Sequence, residues 1–184
     1  MNTDLQPQTA TRVKTAVIIA SVREGRFAPV VAGWFTRHAT QRDDVEIDVI
    51  DLAEGTQGLS ARLADAESFI VITPEYNHSF PGPLKSVIDD HRDEWFAKPV
   101  AFVSYGGVSG GLRAVEHLRT VFAELHATTV RDTVSFHGAW ERFDQLGEPI
   151  DGKAVTAATD TMLDHLVWWA RALSAARHDN PFAA

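Results

Sequence analysis

The 184-residue chain contains no cysteine. That absence excludes disulfides, thiolate nucleophiles and cysteine-ligated zinc or iron–sulfur clusters, so any redox chemistry must run on a carrier that is not a thiol. Positive charge is also scarce: 17 Lys and Arg against 25 Asp and Glu leave a formal net charge of −8 and a pI near 5.4. A field of that sign repels nucleic acid and anionic membrane surfaces, and it requires any bound phosphate to be held by local groups. Long apolar runs are missing too. The N-terminal MNTDLQPQTATR has no apolar stretch of the signal-peptide kind, and no later run approaches a membrane span, so a cytoplasmic location is expected. With 45% hydrophobic residues, the length suits one domain with a full core. Residues 1–12 are polar and read as a disordered lead, residues 13–178 as the domain, and residues 179–184 as a tail.

What is present is a regular alternation. Apolar runs at residues 15–20, 69–72 and 98–104 read as strands buried on both faces, and a fifth run starts at Thr128. Residues 44–52 alternate apolar and acidic side chains, as an edge or near-edge strand does. Between these strands lie helical patterns over residues 28–40, 112–126 and 153–177, a short one over 59–66, and one that starts at Phe80 or Leu84 and ends near Arg92. Strands alternating with helices predict an α/β fold, a doubly wound parallel sheet of five strands in the order 2-1-3-4-5. In that order the topological switch falls between the first and third strands, and ligands bind in the crevice there.

Three loops meet at that crevice. The first, Ser21-Val-Arg-Glu-Gly-Arg26, offers backbone amides, a helix N-terminus, a hydroxyl and two guanidinium groups, a set suited to phosphate; the plainer alternative is that Arg23 and Arg26 are solvated surface charges. The second runs from Pro74 to Pro83. Its prolines leave few conformations, and Glu75, Tyr76, Asn77, His78 and Ser79 form a flat, polar wall; alternatively it is an ordinary strand-to-helix turn with Asn77 or Ser79 as N-cap. The third, from Ser104 and Tyr105 through Gly106, Gly107, Gly110 and Gly111, lets backbone approach a flat ligand without Cβ interference, unless the glycines serve only positive φ. A dinucleotide fingerprint would place its glycines after the first strand, so a Rossmann site is excluded. The acidic cluster 89–94 with His91 has no metal-ligand spacing and reads as a solvated helix end. Residues 137–151 read as a lid or subunit-contact segment, and Trp168 and Trp169, off the core stripe of the last helix, as a partner surface.

Taken together, Ala20-Ser-Val-Arg-Glu-Gly-Arg26, Thr73-Pro-Glu-Tyr-Asn77, Ser79-Phe-Pro-Gly-Pro-Leu-Lys85 and Ser104-Tyr-Gly-Gly107 resemble, in order and spacing, the NADPH-dependent FMN reductase family of flavodoxin-like proteins. The resemblance implies FMN as cofactor and NADPH or NADH as hydride donor. It places the FMN phosphate on Ser21, Arg23 and the loop through Arg26, Phe27 and Ala28, the isoalloxazine and ribityl chain along Pro74, Glu75, Tyr76 and Asn77, and the ring edge at Ser104, Tyr105, Gly106 and Gly107. Many members have Gly-Ser at positions 20 and 21 and Ser and Asn at positions 26 and 28, where this chain has Ala20, Arg26 and Ala28. The implied reaction is hydride transfer from nicotinamide to FMN and on to a flavin, quinone or similar acceptor, with no protein residue acting as a strong acid or base and no metal. Backbone amides at positions 76, 77, 106 or 107 would stabilise charge on the reduced ring. A homodimer or homotetramer is implied as well. The alternatives are a one-electron flavodoxin-type carrier, which the two arginines disfavour, and a non-catalytic flavin-binding regulatory domain.

Overall fold

A computed structural model describes residues 11–183. The expected N-terminal lead lies outside the described residues except at positions 11 and 12, where Arg12 donates to the Val45 carbonyl at 2.9 Å. Strands β1 (Val13–Ile19), β2 (Val45–Asp51), β3 (Ser68–Pro74), β4 (Pro99–Gly106) and β5 (Thr128–His137) form one parallel sheet in the order β2-β1-β3-β4-β5. Helices α1 (Ala28–Ala39), α2 (Leu59–Asp65), α3 (Gly82–Asp90), α4 (Leu112–Glu124) and α5 (Gly152–Asp179) connect and cover it.

The three central strands have no exposed position except Lys14, because helices lie on both faces. Side chains alternate between two cores. Ala16, Ile18, Phe69, Val71 and Phe102 pack with α2, α3 and α4, whereas Val17, Ile19, Ile70, Ile72, Val103 and Tyr105 pack with α1 and α5. β2 and β5 are the edge strands, and β2 carries a wetter face. Trp95, in a 3-10 turn before β4, fills the first core edge-on to Phe69 and Phe122.

Register fixes the crevice. Ile19 stands opposite both Asp51 and Ile72, and the Ala20 amide extends the pairing to the Ile72 carbonyl at 3.0 Å. Pro74 stands opposite Tyr105, and Tyr105 opposite Phe136. The carboxyl ends of β1, β3 and β4 are therefore level, and the loops that follow them share one rim.

Helix α3 begins at Gly82, after Pro81, with no side-chain cap. Neither Asn77 nor Ser79 is its N-cap. Asn77 and His78 instead have φ of 50° and 67° and form a two-residue turn that closes an antiparallel bridge between Tyr76 and Ser79. Hairpin turns of this type need positive φ at both central positions. Non-glycine residues held there cost about 1–3 kcal/mol each, a strain that concentrates at functional sites.

Candidate active site

The first and second loops touch. Ser21 is buried, and its Oγ lies 2.6 Å from the Tyr76 Oη, while the Arg23 guanidinium carbon lies over the Tyr76 ring, 3.5 Å from its centroid. An arginine stacked on an aromatic face in this way is held by cation–π attraction and keeps its N–H edge free for an anion.

Arg26 is placed differently. It donates to both Asp51 oxygens, at 2.5 and 2.6 Å, and to the Ser21 carbonyl at 2.5 Å. Burial pushes the Asp51 carboxyl up, but the Arg26 hydrogen bond, the Ala53 amide and the Arg26 charge together outweigh it and hold the acid below the usual carboxylate range. The guanidinium expected at the phosphate thus welds the loop to the end of β2. Phe27 packs against Tyr105 and Phe143, and Ala28 is fully buried at the first turn of α1.

The second and third loops are clamped by an acid. The buried Glu75 side chain accepts from Ser109 Oγ at 2.5 Å and from Arg113 Nε at 2.6 Å, so its carboxylate faces the glycine loop and the start of α4. Burial raises the Glu75 pKa, yet the Arg113 and Ser109 hydrogen bonds prevail and hold it below its ordinary value. The Tyr76 amide is also spent, on the Ser79 carbonyl at 2.8 Å, which removes it from the amides expected to face a reduced ring.

Only part of the glycine loop is open. A Cβ on Gly110 would lie 2.5 Å from Ser135 Oγ, and one on Gly111 would lie 2.8 Å from Ser104 Cβ, both at positive φ. These two glycines serve packing against β4 and β5 rather than access for a ligand. Gly107 is exposed with nothing within 4 Å of a Cβ. Ser104 Oγ and Ser135 Oγ both donate to the Gly110 carbonyl, His137 Nδ1 lies 2.8 Å from the Val108 carbonyl, and the Gly138 amide reaches the Gly107 carbonyl at 2.9 Å. These bonds tie the loop to β4, β5 and the residue after β5 without any ligand.

Sequence reasoning missed Asp51, Ser109, Arg113, Ser135 and His137, which hold the expected residues in place. Each lies on a different element from the group it holds or is reached only through a turn, so no local pattern announces it. Among the described residues no helix is long and apolar enough to cross a membrane, and no cluster of three or more His, Asp or Glu could hold a metal ion.

Residues 13–141 match the family model described as NADPH-dependent FMN reductase. The chain belongs to the NADPH-dependent FMN reductase family. Within that family's likeness, an NAD(P)H-dependent FMN reductase of Schizosaccharomyces pombe is 30% identical over 120 residues, covering 53% of this chain and 60% of that protein. A quinone reductase of Escherichia coli strain K12 is 29% identical over 175 residues, covering 84% of this chain and 90% of its own length. The chain spans 60–63% of the length of the first curated relatives that it matches. Among solved structures, the flavoenzyme NAD(P)H:(acceptor) oxidoreductase FerB from Paracoccus denitrificans superposes with a TM-score of 0.65 at 22% identity, over 86% of this chain and 97% of that one. At that identity the superposition establishes the shared flavodoxin-like fold.

Proposed function

We propose that this FMN reductase family member is an NAD(P)H-dependent, FMN-containing reductase acting on small acceptors such as free flavins or quinones. The observation that carries the reading is the meeting of the phosphate-type loop with the aromatic turn, through the Ser21–Tyr76 hydrogen bond and the Arg23–Tyr76 stack. The residues present fit FMN: the Tyr105 hydroxyl is buried without a hydrogen-bond partner among the described residues, and Gly107 leaves backbone open at the rim.

In this assignment Ser21, Arg23 and the first turn of α1, with Phe27 and Ala28, hold the phosphate. Arg26 acts at one remove, by fixing the Ser21 carbonyl through its pair with Asp51. Pro74, Tyr76 and Asn77 line the flavin, with Glu75 anchoring them from behind, and Ser104, the Tyr105 backbone, Gly106 and Gly107 meet the ring edge. Bound FMN supplies the two-electron redox chemistry, which suits a chain without cysteine. The protein's part is position: a crevice already tied by hydrogen bonds needs little reorganisation as charge develops. The domain is taken as residues 13–178, the location as cytoplasmic and the assembly as a homodimer or homotetramer.

Steady-state NADPH and NADH oxidation by the FMN-loaded protein, with free FMN and a benzoquinone as acceptors, tests the reading. Turnover with at least one acceptor is expected. A protein that binds FMN but oxidises neither nucleotide is a carrier or a regulatory domain, and the proposal fails.

A further inference from the structure

Tyr105 is the one buried side chain among the described residues whose polar atom has no hydrogen-bond partner. Its ring projects from the carboxyl end of β4 into the α1 and α5 side of the core, and only 4% of the residue is exposed. An orphaned hydroxyl in that environment carries a desolvation cost of about 1–3 kcal/mol, so its presence calls for an explanation. Its ring lies against Phe27 of the first loop, centroids 6.3 Å apart, and its polar neighbours are Tyr76, Ser21, Arg26 and Asp51, with none of which it forms a hydrogen bond. A phenylalanine would fill the same core without that cost.

Ser21 offers the explanation. A serine hydroxyl has two acceptor lone pairs and one proton. Tyr76 Oη already occupies one side at 2.6 Å, and the Arg26 bond to the Ser21 carbonyl keeps the residue from turning. A phenol is the better donor and an aliphatic alcohol the better acceptor, so the favoured arrangement has the tyrosines donating and the serine accepting. We propose that Tyr105 is a positioning residue which, with Tyr76, saturates both lone pairs of Ser21 and thereby commits the serine's single proton to the anion bound in the loop. The inference rests on the flavin reading above and deepens it: the Tyr105 hydroxyl acts on the phosphate end of FMN, through Ser21, and not on the ring. With the phosphate bound, Ser21 turns its proton outward and the Tyr105 hydroxyl gains its acceptor.

The test compares FMN with riboflavin, which lacks the phosphate. Dissociation constants for both are measured by quenching of flavin fluorescence, with wild type, Tyr105→Phe, Ser21→Ala and the double variant, and melting temperatures are taken without ligand. Tyr105→Phe is expected to weaken FMN about tenfold, the loss of roughly one hydrogen bond, and to leave riboflavin within about twofold on the same scale. Its ligand-free melting temperature should equal or exceed that of wild type, since an unpartnered buried hydroxyl has been removed. In the Ser21→Ala background the Tyr105→Phe effect on FMN should vanish, because the relay has lost its middle member. Equal weakening of FMN and riboflavin, or a full effect persisting without Ser21, overturns the proposal in favour of a packing role; an unchanged FMN constant overturns it outright. If wild type binds riboflavin as well as FMN, the loop is no phosphate site and the inference falls, whereas the flavin reading falls only if neither flavin binds.

Discussion

Arg23 and Arg26 lie three residues apart in one loop and have separate tasks, one stacked on Tyr76 with its edge free and the other locked between Asp51 and the Ser21 carbonyl. Arg23→Ala should therefore weaken FMN binding by about 1.5–3 kcal/mol, the worth of a charged hydrogen bond, as read by fluorescence titration; an unchanged constant would reject Arg23 as a phosphate ligand. The sequence shows that both arginines sit in the right loop. It cannot show that Asp51, on the next strand, takes one of them, because that pairing exists only once β1 and β2 are in register. The same holds for Glu75, whose place in the Pro-Glu-Tyr-Asn turn suggests a ligand contact while Arg113 and Ser109, more than thirty residues on, claim both of its oxygens. Glu75 and Asp51 are both held below the ordinary carboxylate pKa in the fold. Their contribution to stability is fully present above the unfolded value of about 4 and is lost as pH falls through the folded values. Chemical denaturation from pH 6 down to about pH 3 should show wild type losing more stability than Glu75→Gln; parallel curves would contradict the ionised clamp.

At the scale of elements, the third loop makes the sharpest contrast. Gly111→Ala brings a Cβ within 2.8 Å of Ser104 Cβ and 3.0 Å of the Tyr105 amide at φ +86°, and should cost several kcal/mol, on the order of other strained or overpacked sites. Gly107→Ala meets nothing within 4 Å, so its melting temperature should match wild type while FMN binding weakens. Retained FMN affinity in Gly107→Ala would remove this backbone from the site. Runs of glycine announce the loop in the sequence, but which glycines face the protein and which face outward depends on β5 lying beneath. Helix α3 starts at Gly82, between the Phe80 and Leu84 that the sequence offers, but the alternative with Asn77 or Ser79 as its cap fails for a related reason: only the bridge between Tyr76 and Ser79 shows that the chain turns on itself first. Away from the crevice, Lys98 donates to the last carbonyls of α2, Leu63 and Ala64. Burial, aided by nearby Arg177, depresses its pKa from 10.5 to about 8. Between those values the unfolded chain binds the extra proton, so stability attributable to Lys98 should rise as pH goes from 8 to 10.5. Denaturation of wild type and Lys98→Met at pH 7.5 and 10 should show the gap shifting towards wild type at the higher pH; a constant gap would contradict the depressed ammonium.

For the whole molecule, the layered α/β architecture and the strand order were legible because they follow from apolar runs separated by helical patterns, which record burial directly. The crevice was legible in outline, since the switch point between β1 and β3 follows from the strand order alone. Its internal wiring was not, because hydrogen-bond partners are chosen by three-dimensional register. Exposed Val108, Trp140, Leu146 and Ile150 lie on the loops after β4 and β5, and the exposed pair Trp168 and Trp169 meets edge-on at 5.0 Å on α5. These apolar surfaces support the proposed self-association, and sedimentation should give a dimer or tetramer, with a monomer at micromolar concentration counting against it. The most direct test of the central claim is anaerobic mixing of the FMN-loaded protein with NADPH while the flavin's visible absorption is followed. The account predicts rapid bleaching in wild type, one FMN per chain, and restoration of colour on adding a quinone. A flavin that stays oxidised in the presence of excess NADPH and NADH would contradict it.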